Sequence, residues 1–170
     1  YYRDGRNRKR PRIMSEYHLA QVNIARILEP LDSPVMEGFV NNLDRINGIA
    51  EASPGFVWRL KGDDNNATAL RVFEDDFLII NMSVWESKEA LFNFTYASQH
   101  AGVLRRKKEW FQQMVDRHMC LWYVEKGVEP SPEEAKERLK YLNEHGETPY
   151  AFSFKGKFTA EESLNYKPES

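Results

Sequence analysis

Apolar and polar residues alternate at the start of the readable chain. Within His18–Ile24, Ala20, Val22 and Ile24 share one face and Gln21 and Asn23 the other, which predicts a half-buried strand. Pro30 and Pro34 block a regular element over Leu28–Val35. Phe39, Val40, Leu43, Ile46, Asn47, Ile49 and Ala50 then recur at helical spacing and predict a helix over about 35–52. Ser53-Pro54-Gly55 is turn chemistry, and Phe56–Leu60 is a short β-rich run that ends in the polar stretch Gly62–Asn66. The clearest strand is Phe77–Trp85. Leu78, Ile80, Met82 and Val84 make one of its faces aliphatic, while Phe77, Ile79, Asn81, Ser83 and Trp85 make the other a mixture of aromatic and polar groups.

Ser87 is placed to cap a second helix, with Glu89 in its first turn and Leu91, Phe94 and Thr95 on its apolar stripe. Ser98-Gln99 and Gly102 predict a break near 99–102, followed by a continuation to about 116. His118–Val124 reads as strand four. Ser131-Pro132-Glu133-Glu134 is a capping box with proline at the first helical position, and the helix it opens carries Ala135, Arg138, Leu139 and Leu142 before Gly146 closes it. A last strand, Tyr150–Phe154, precedes a polar tail over 159–170 that is expected to be mobile.

The predicted class is therefore α+β: a ferredoxin-like β-α-β-β-α-β unit with an appended helix and strand. Such a unit packs its two helices on one face of the sheet. The aliphatic face of strand three suits that role, which leaves the mixed face to be covered by something else. A second copy of the chain is the simplest cover, giving a homodimeric α/β barrel with a central cavity.

At 170 residues the chain has room for one domain, and 41% hydrophobic with 29% charged residues is a globular composition. No apolar run approaches the roughly 20 residues of a membrane span, and no export signal is evident, so a cytoplasmic protein without membrane partners is expected. The single Cys120 excludes an internal disulfide or a CxxC metal site. The net charge of −2 hides an asymmetry: residues 1–13 carry six basic side chains against Asp4 alone, and the remainder is acidic, which disfavours nucleic acid as a partner of the folded part. With Met14-Ser15-Glu16 resembling a natural start, 1–13 reads as a disordered basic leader or vector-derived segment, 14–158 as the single domain and 159–170 as the tail.

Phosphate-binding glycine loops, a GxSxG elbow, HExxH and EF-hand patterns are all absent, which removes nucleotide-dependent and serine-hydrolase readings. Three Asn-x-Ser/Thr matches, at Asn66, Asn81 and Asn93, are best explained as chance. Of four histidines, His18 opens a strand, His118 precedes one and His145 ends a helix. His100 shares a helical stripe with Val103, Leu104 and Phe111 and so faces inward, either as a packed core histidine or as a ligand or proton-transfer group. Within Arg105-Arg106-Lys107-Lys108, one or two cations turn toward the sheet and would form a carboxylate-binding corner beside His100. Trp58, Trp85, Trp110 and Trp122 serve the core, or they line a cavity in which Asn23, Asn81 and Arg59 orient a ligand; Trp58 and Arg59 alternate, so both cannot face it.

Taken together, His18-Leu19-Ala20-Gln21, Gly55–Leu60, Asn81–Ser87, His100–Arg106, Trp110-Phe111 and Leu121-Trp122 resemble a bacterial domain-of-unknown-function family in the dimeric α/β-barrel superfamily, over roughly 17–155. That superfamily includes cofactor-free monooxygenases, haem proteins and plain binding proteins. His100-Ala101, Arg105 and Trp110-Phe111 are also similar to a pattern in the spheroidene monooxygenases, which are haem-dependent. The resemblance implies a monooxygenase-like enzyme acting on an apolar or aromatic small molecule, the alternative being a non-catalytic small-ligand or haem-binding protein. It implies His100 and Asn81 as catalytic residues. If haem binds, His100 is its axial ligand and Arg105 and Arg106 its propionate partners. Asn23, Trp58, Arg59, Phe77, Trp85 and Trp110 are the implied substrate contacts.

Overall fold

A computed structural model describes residues 16–62, 75–100 and 106–170, with 98–100 as backbone only. The leader, the Asn66 sequon, Arg105 and the side chain of His100 lie outside the described residues. Four strands, β1 (Tyr17–Arg26), β2 (Phe56–Arg59), β3 (Leu78–Trp85) and β4 (Met119–Glu125), form one antiparallel sheet in the order β2-β3-β1-β4. Helix α1 (Glu37–Ala52) links β1 to β2 after a single 3-10 turn, and α2 (Lys88–His100) and the short α3 (Lys107–Trp110) lie between β3 and β4. Helix α4 (Pro132–His145) and the short α5 (Ala160–Asn165) come after β4. The β-α-β-β-α-β order read from the sequence is present in this mixed α+β domain.

Local chemistry sets the helix ends at the positions the sequence predicts. Ser87 Oγ accepts from the Ala90 amide at 3.1 Å, and Ser131 Oγ accepts from Glu134 at 3.1 Å, so each helix start has one orphan donor satisfied. Gly146 ends α4 with φ +74°, its N–H donating to Leu142 O at 2.9 Å. Gly55 turns between α1 and β2 with φ +82°, where a Cβ would stand 2.5 Å from the Ala90 Cβ; the close approach of α2 requires glycine here.

The two faces of the sheet are covered differently from expectation. The aliphatic face, with Ala20, Val22, Ile80, Met82, Cys120 and Trp122, packs under the appended helix α4 through Ala135, Leu139 and Leu142. The mixed face lies under α1 and α2. There Trp85 packs with Ala50 and Leu91, and Ile79 packs with Met36 and Trp110. Trp85 and Ile79 are buried within one chain, so these two side chains are not left open for a second copy. The reason is that α1 and α2 themselves supply the aromatic and aliphatic partners this face needs, and α4 is free to cover the other.

Three further departures are local. Beyond α3 the chain is extended rather than helical: Phe111 bridges to Ile27, and Gln112 N donates to Arg26 O at 2.8 Å, extending the end of β1. Tyr150–Phe154 makes only isolated bridges, the main one an exchange between Phe152 and Leu121 at 2.7 and 3.0 Å, because Glu147 accepts from the Ser153 amide and hydroxyl and bends the segment away. The polar end of the chain carries α5, capped by Thr159, and its Tyr166 hydroxyl meets that of Tyr141 at 2.7 Å.

Candidate functional site

Between the two apolar clusters of the mixed face runs a polar band. Register pairs Arg59 with Ser83 and Ser83 with Gln21 on one rung, and Asn81 with Asn23 on the next. All five residues belong to the face that α1 and α2 cover. Gln21 Nε2 donates to Asn81 Oδ1 at 2.8 Å and to Ser83 Oγ at 2.7 Å, and the Trp85 indole N–H donates to the same Ser83 Oγ at 2.8 Å. Burial of Gln21 and Ser83 is thus compensated by hydrogen bonds.

At one end of the band the Arg59 Nε donates to Glu51 Oε1 on α1 at 2.7 Å. The guanidinium's hydrogen bond holds the Glu51 carboxyl below its ordinary range. Arg59 therefore faces the helix layer, and Trp58, one residue earlier, packs at the margin of the aliphatic core. Only Arg59 of this pair reaches the polar band, as alternation requires.

Asn23 and Asn81 stand at the centre of the sheet, on its two inner strands, and both are exposed. Above them, α1 packs through Met36 and Phe39 at one end and Ala50 at the other. Leu43, Ile46 and Asn47 lie on the same stripe between those contacts and are only half-buried. Helix α1 thus bridges the band like a beam held at its ends. The exposure of the two amides, with the buried Ser83 hydroxyl beside them, and the half-burial of the α1 edge between its two contacts mark this place as a cleft.

The remaining predicted site residues separate from this cleft. Trp85 is fully buried, one flank stacked on Phe94 at 5.0 Å between centroids and the other met edge-on by Phe56 at 5.4 Å. It acts on the cleft through its indole N–H. Trp110 is buried between Phe39 and Phe111, and Gly38 lets it approach α1, since a Cβ there would stand 3.2 Å from the indole. Phe77 is exposed ahead of β3. Arg106 pairs with Glu109 at 2.6 Å and lies 4.9 Å over the Trp110 ring. Arg106 and Trp110 are thus engaged with each other, and among the described residues no group of three or more His, Cys, Asp or Glu could hold a metal ion.

Two participants, Gln21 and Glu51, carry no site signal in the sequence. Alternation marks Gln21 only as the polar side of a strand, and Glu51 has the pattern of a helix surface residue. Strand parity puts Gln21 beside Asn23, but its bonds to β3 depend on the β1–β3 register, which no local pattern specifies.

The fold and this cleft define a small α+β domain with a single antiparallel sheet, helices on both faces and a polar opening at the sheet centre. Residues 18–168 match the family described as a domain of unknown function, DUF3291, and the chain belongs to that family. No curated protein matches it. Among solved structures it is similar to PA3566 from Pseudomonas aeruginosa, at 12% identity and a TM-score of 0.43, over 68% of this chain and 98% of that one. It is likewise similar to NE2512, a protein of unknown function from Nitrosomonas europaea, at 12% identity and a TM-score of 0.42, over 69% of this chain and 97% of that one. Among the described residues no helix is long and apolar enough to cross a membrane.

Proposed function

We propose that this domain binds a small, largely apolar molecule in the cleft between α1 and the sheet. One observation carries the reading: Asn23 and Asn81, cross-strand partners at the sheet centre beneath a helix layer, are both open to solvent while the residues on either side of them are buried. A sheet face that only had to pack would fill that position with aliphatic side chains. Instead it holds exposed polar groups between two apolar clusters, a combination that can orient a small, largely apolar molecule. Amides and a hydroxyl hydrogen-bond but do not titrate near neutrality, so binding is what this floor does by itself.

A monooxygenase-like reaction on the bound molecule is the second reading, for which α2 would have to bring His100 to the cleft. Phe94 lies on Trp85, and six further residues of α2 advance the helix by about 9 Å, against about 13 Å for the four residues of β3 from Trp85 back to Asn81. With α2 running back along β3, the backbone of His100 would come toward the level of the cleft. Substrate-dependent oxygen uptake lost in His100→Ala with binding retained would support it.

Self-association belongs to the same proposal by a different surface. Among the described residues strand β2 is a sheet edge, with Val57 exposed and Trp58 and Leu60 half-buried, and a second copy is the simplest cover for it.

The binding reading is tested by a thermal-shift panel of small apolar acids, amides, ketones and amines on the wild type and on Asn23→Phe, which fills the cleft from an exposed position. At least one compound should raise the wild-type Tm and leave the variant unmoved. Equal shifts in both proteins would place binding elsewhere.

A further inference from the structure

The hydrogen-bond directions along the floor specify what it binds. Trp85 Nε1 is a donor only, so the Ser83 oxygen accepts from it. The same oxygen accepts from Gln21 Nε2 at 2.7 Å. With both lone pairs engaged, the hydroxyl's own proton is left to donate. Gln21 Nε2 also occupies Asn81 Oδ1 at 2.8 Å, which turns that acceptor inward and leaves the Asn81 NH2 as the group presented by an exposed side chain. Two donors therefore stand side by side on β3.

Charge points the same way. Arg59 is paired across the strand with Ser83, and its side chain is 5% exposed while that of its partner Glu51 is 43% exposed. Of this ion pair, the positive member is the one held at the floor and the negative member is the one hydrated. With its carboxylate turned toward solvent, the pair offers a cationic ligand group no partner at the floor.

We infer that the cleft is selective for a carbonyl-type oxygen, of a carboxylate or a ketone, received by Asn81 Nδ2 and the Ser83 hydroxyl, with the ligand's apolar chain under Leu43 and Ile46. This rests on the cleft being a binding site at all. Asn81→Asp is the discriminating variant. It keeps an oxygen to accept from Gln21 and replaces the presented donor with a carboxylate, at an exposed position where the fold tolerates it.

The probes are octanoate, 2-octanone and octylamine, titrated into the 15N-labelled full chain while the side-chain amides of Gln21 and Asn81 and the Trp85 indole are followed by NMR. Octanoate or 2-octanone should shift these resonances saturably, and Asn81→Asp, with native spectral dispersion, should weaken that binding at least tenfold. Ser83→Ala should weaken it as well. Preferential shifts by octylamine, or undiminished binding of the oxygen probes by Asn81→Asp, would overturn the donor assignment and leave the cleft as a site. If no probe moves these resonances, the binding reading itself falls and this inference with it. Octanoate binding without 2-octanone binding assigns a carboxylate, and binding of both assigns the carbonyl oxygen in general.

Discussion

Glu51 on α1 and Arg59 on β2 form an ion pair at 2.7 Å in which the guanidinium is buried and the carboxylate is largely hydrated. The pair ties the one helix that spans the cleft to the edge strand beneath it. Its carboxyl titrates below its ordinary value because Arg59 donates to the ionised form. A carboxyl with a lowered folded pKa contributes its full stabilisation above the unfolded value, and loses it as pH falls through the folded one. Glu51→Gln should therefore be less stable than wild type at neutral pH, because the buried Arg59 loses this charged partner. The gap between the two proteins should narrow as pH falls from the unfolded value, about 4, through the lowered folded one, because the wild-type carboxyl is progressively protonated over that range. Urea unfolding of both proteins from pH 7 to pH 3 measures this, and a gap independent of pH would refute it.

Cys120 is fully buried on the aliphatic face, and burial pushes its thiol up to about 12. Only the thiolate reacts with a disulfide reagent. The native protein should therefore be silent to such a reagent at pH 8 and titrate one thiol on unfolding. Stoichiometric reaction of the folded protein within seconds would mean that α4 does not seal this face.

Gly55 meets Ala90 where α2 crosses the α1–β2 turn. Gly55→Ala combines an unfavourable positive φ with a 2.5 Å clash, and should destabilise by about 2–4 kcal/mol. Ala90→Gly removes the steric part and leaves the backbone part. The double variant should thus recover some of the loss beyond what the single changes add up to, and strict additivity in a double-mutant cycle would show that the two residues do not meet.

The strands are legible in the sequence because their apolar alternation is a local property. Leu78–Trp85 shows it along its whole length, and the caps at Ser87 and Ser131 carry their own chemistry. Which helix covers which face is not legible, since α1, α2 and α4 each present an apolar stripe, and the choice between faces is made by packing across the chain. Trp85 shows why. Its ring lies on the mixed face, and a residue of that size invites a second copy of the chain until Phe56 and Phe94 are seen to enclose it. The cleft is half legible: strand parity points to Asn23, Asn81 and Arg59, whereas the Gln21 and Glu51 partners depend on β1–β3 register and on α1's position over β2. The polar composition after residue 158 hides an ordered end: the Thr159 cap closes α5 locally, and the Tyr141 hydroxyl, meeting that of Tyr166 and accepting from the Glu169 amide, ties the segment to α4.

Removal of residues 159–170 tests that last point. Tyr123 donates its hydroxyl to Phe158 O at 2.8 Å, so a cut after 158 keeps this bond and loses Tyr166 and the buried Ala160. A loss of roughly 1–3 kcal/mol is expected, from the two hydrogen bonds at the Tyr141 hydroxyl and a modest apolar area. Unchanged stability would mean that the segment is a passive tail.

Self-association separates the two faces that are candidates for an interface. Val57 is 39% exposed on the edge strand, whereas Ile79 is 8% exposed beneath Met36 and Trp110. If two copies meet at β2, the wild type sediments at about twice the mass of one 20.0 kDa chain, and Val57→Lys sediments as a folded monomer because a charge on an edge strand opposes pairing. Ile79→Asp behaves differently. A carboxylate placed in a buried apolar cluster should cost several kcal/mol and lower the Tm without a prior step to a folded monomer. A folded monomeric Ile79→Asp would restore the mixed face of β3 as the interface, and a wild type that sediments as a single chain at all concentrations would remove the dimer altogether.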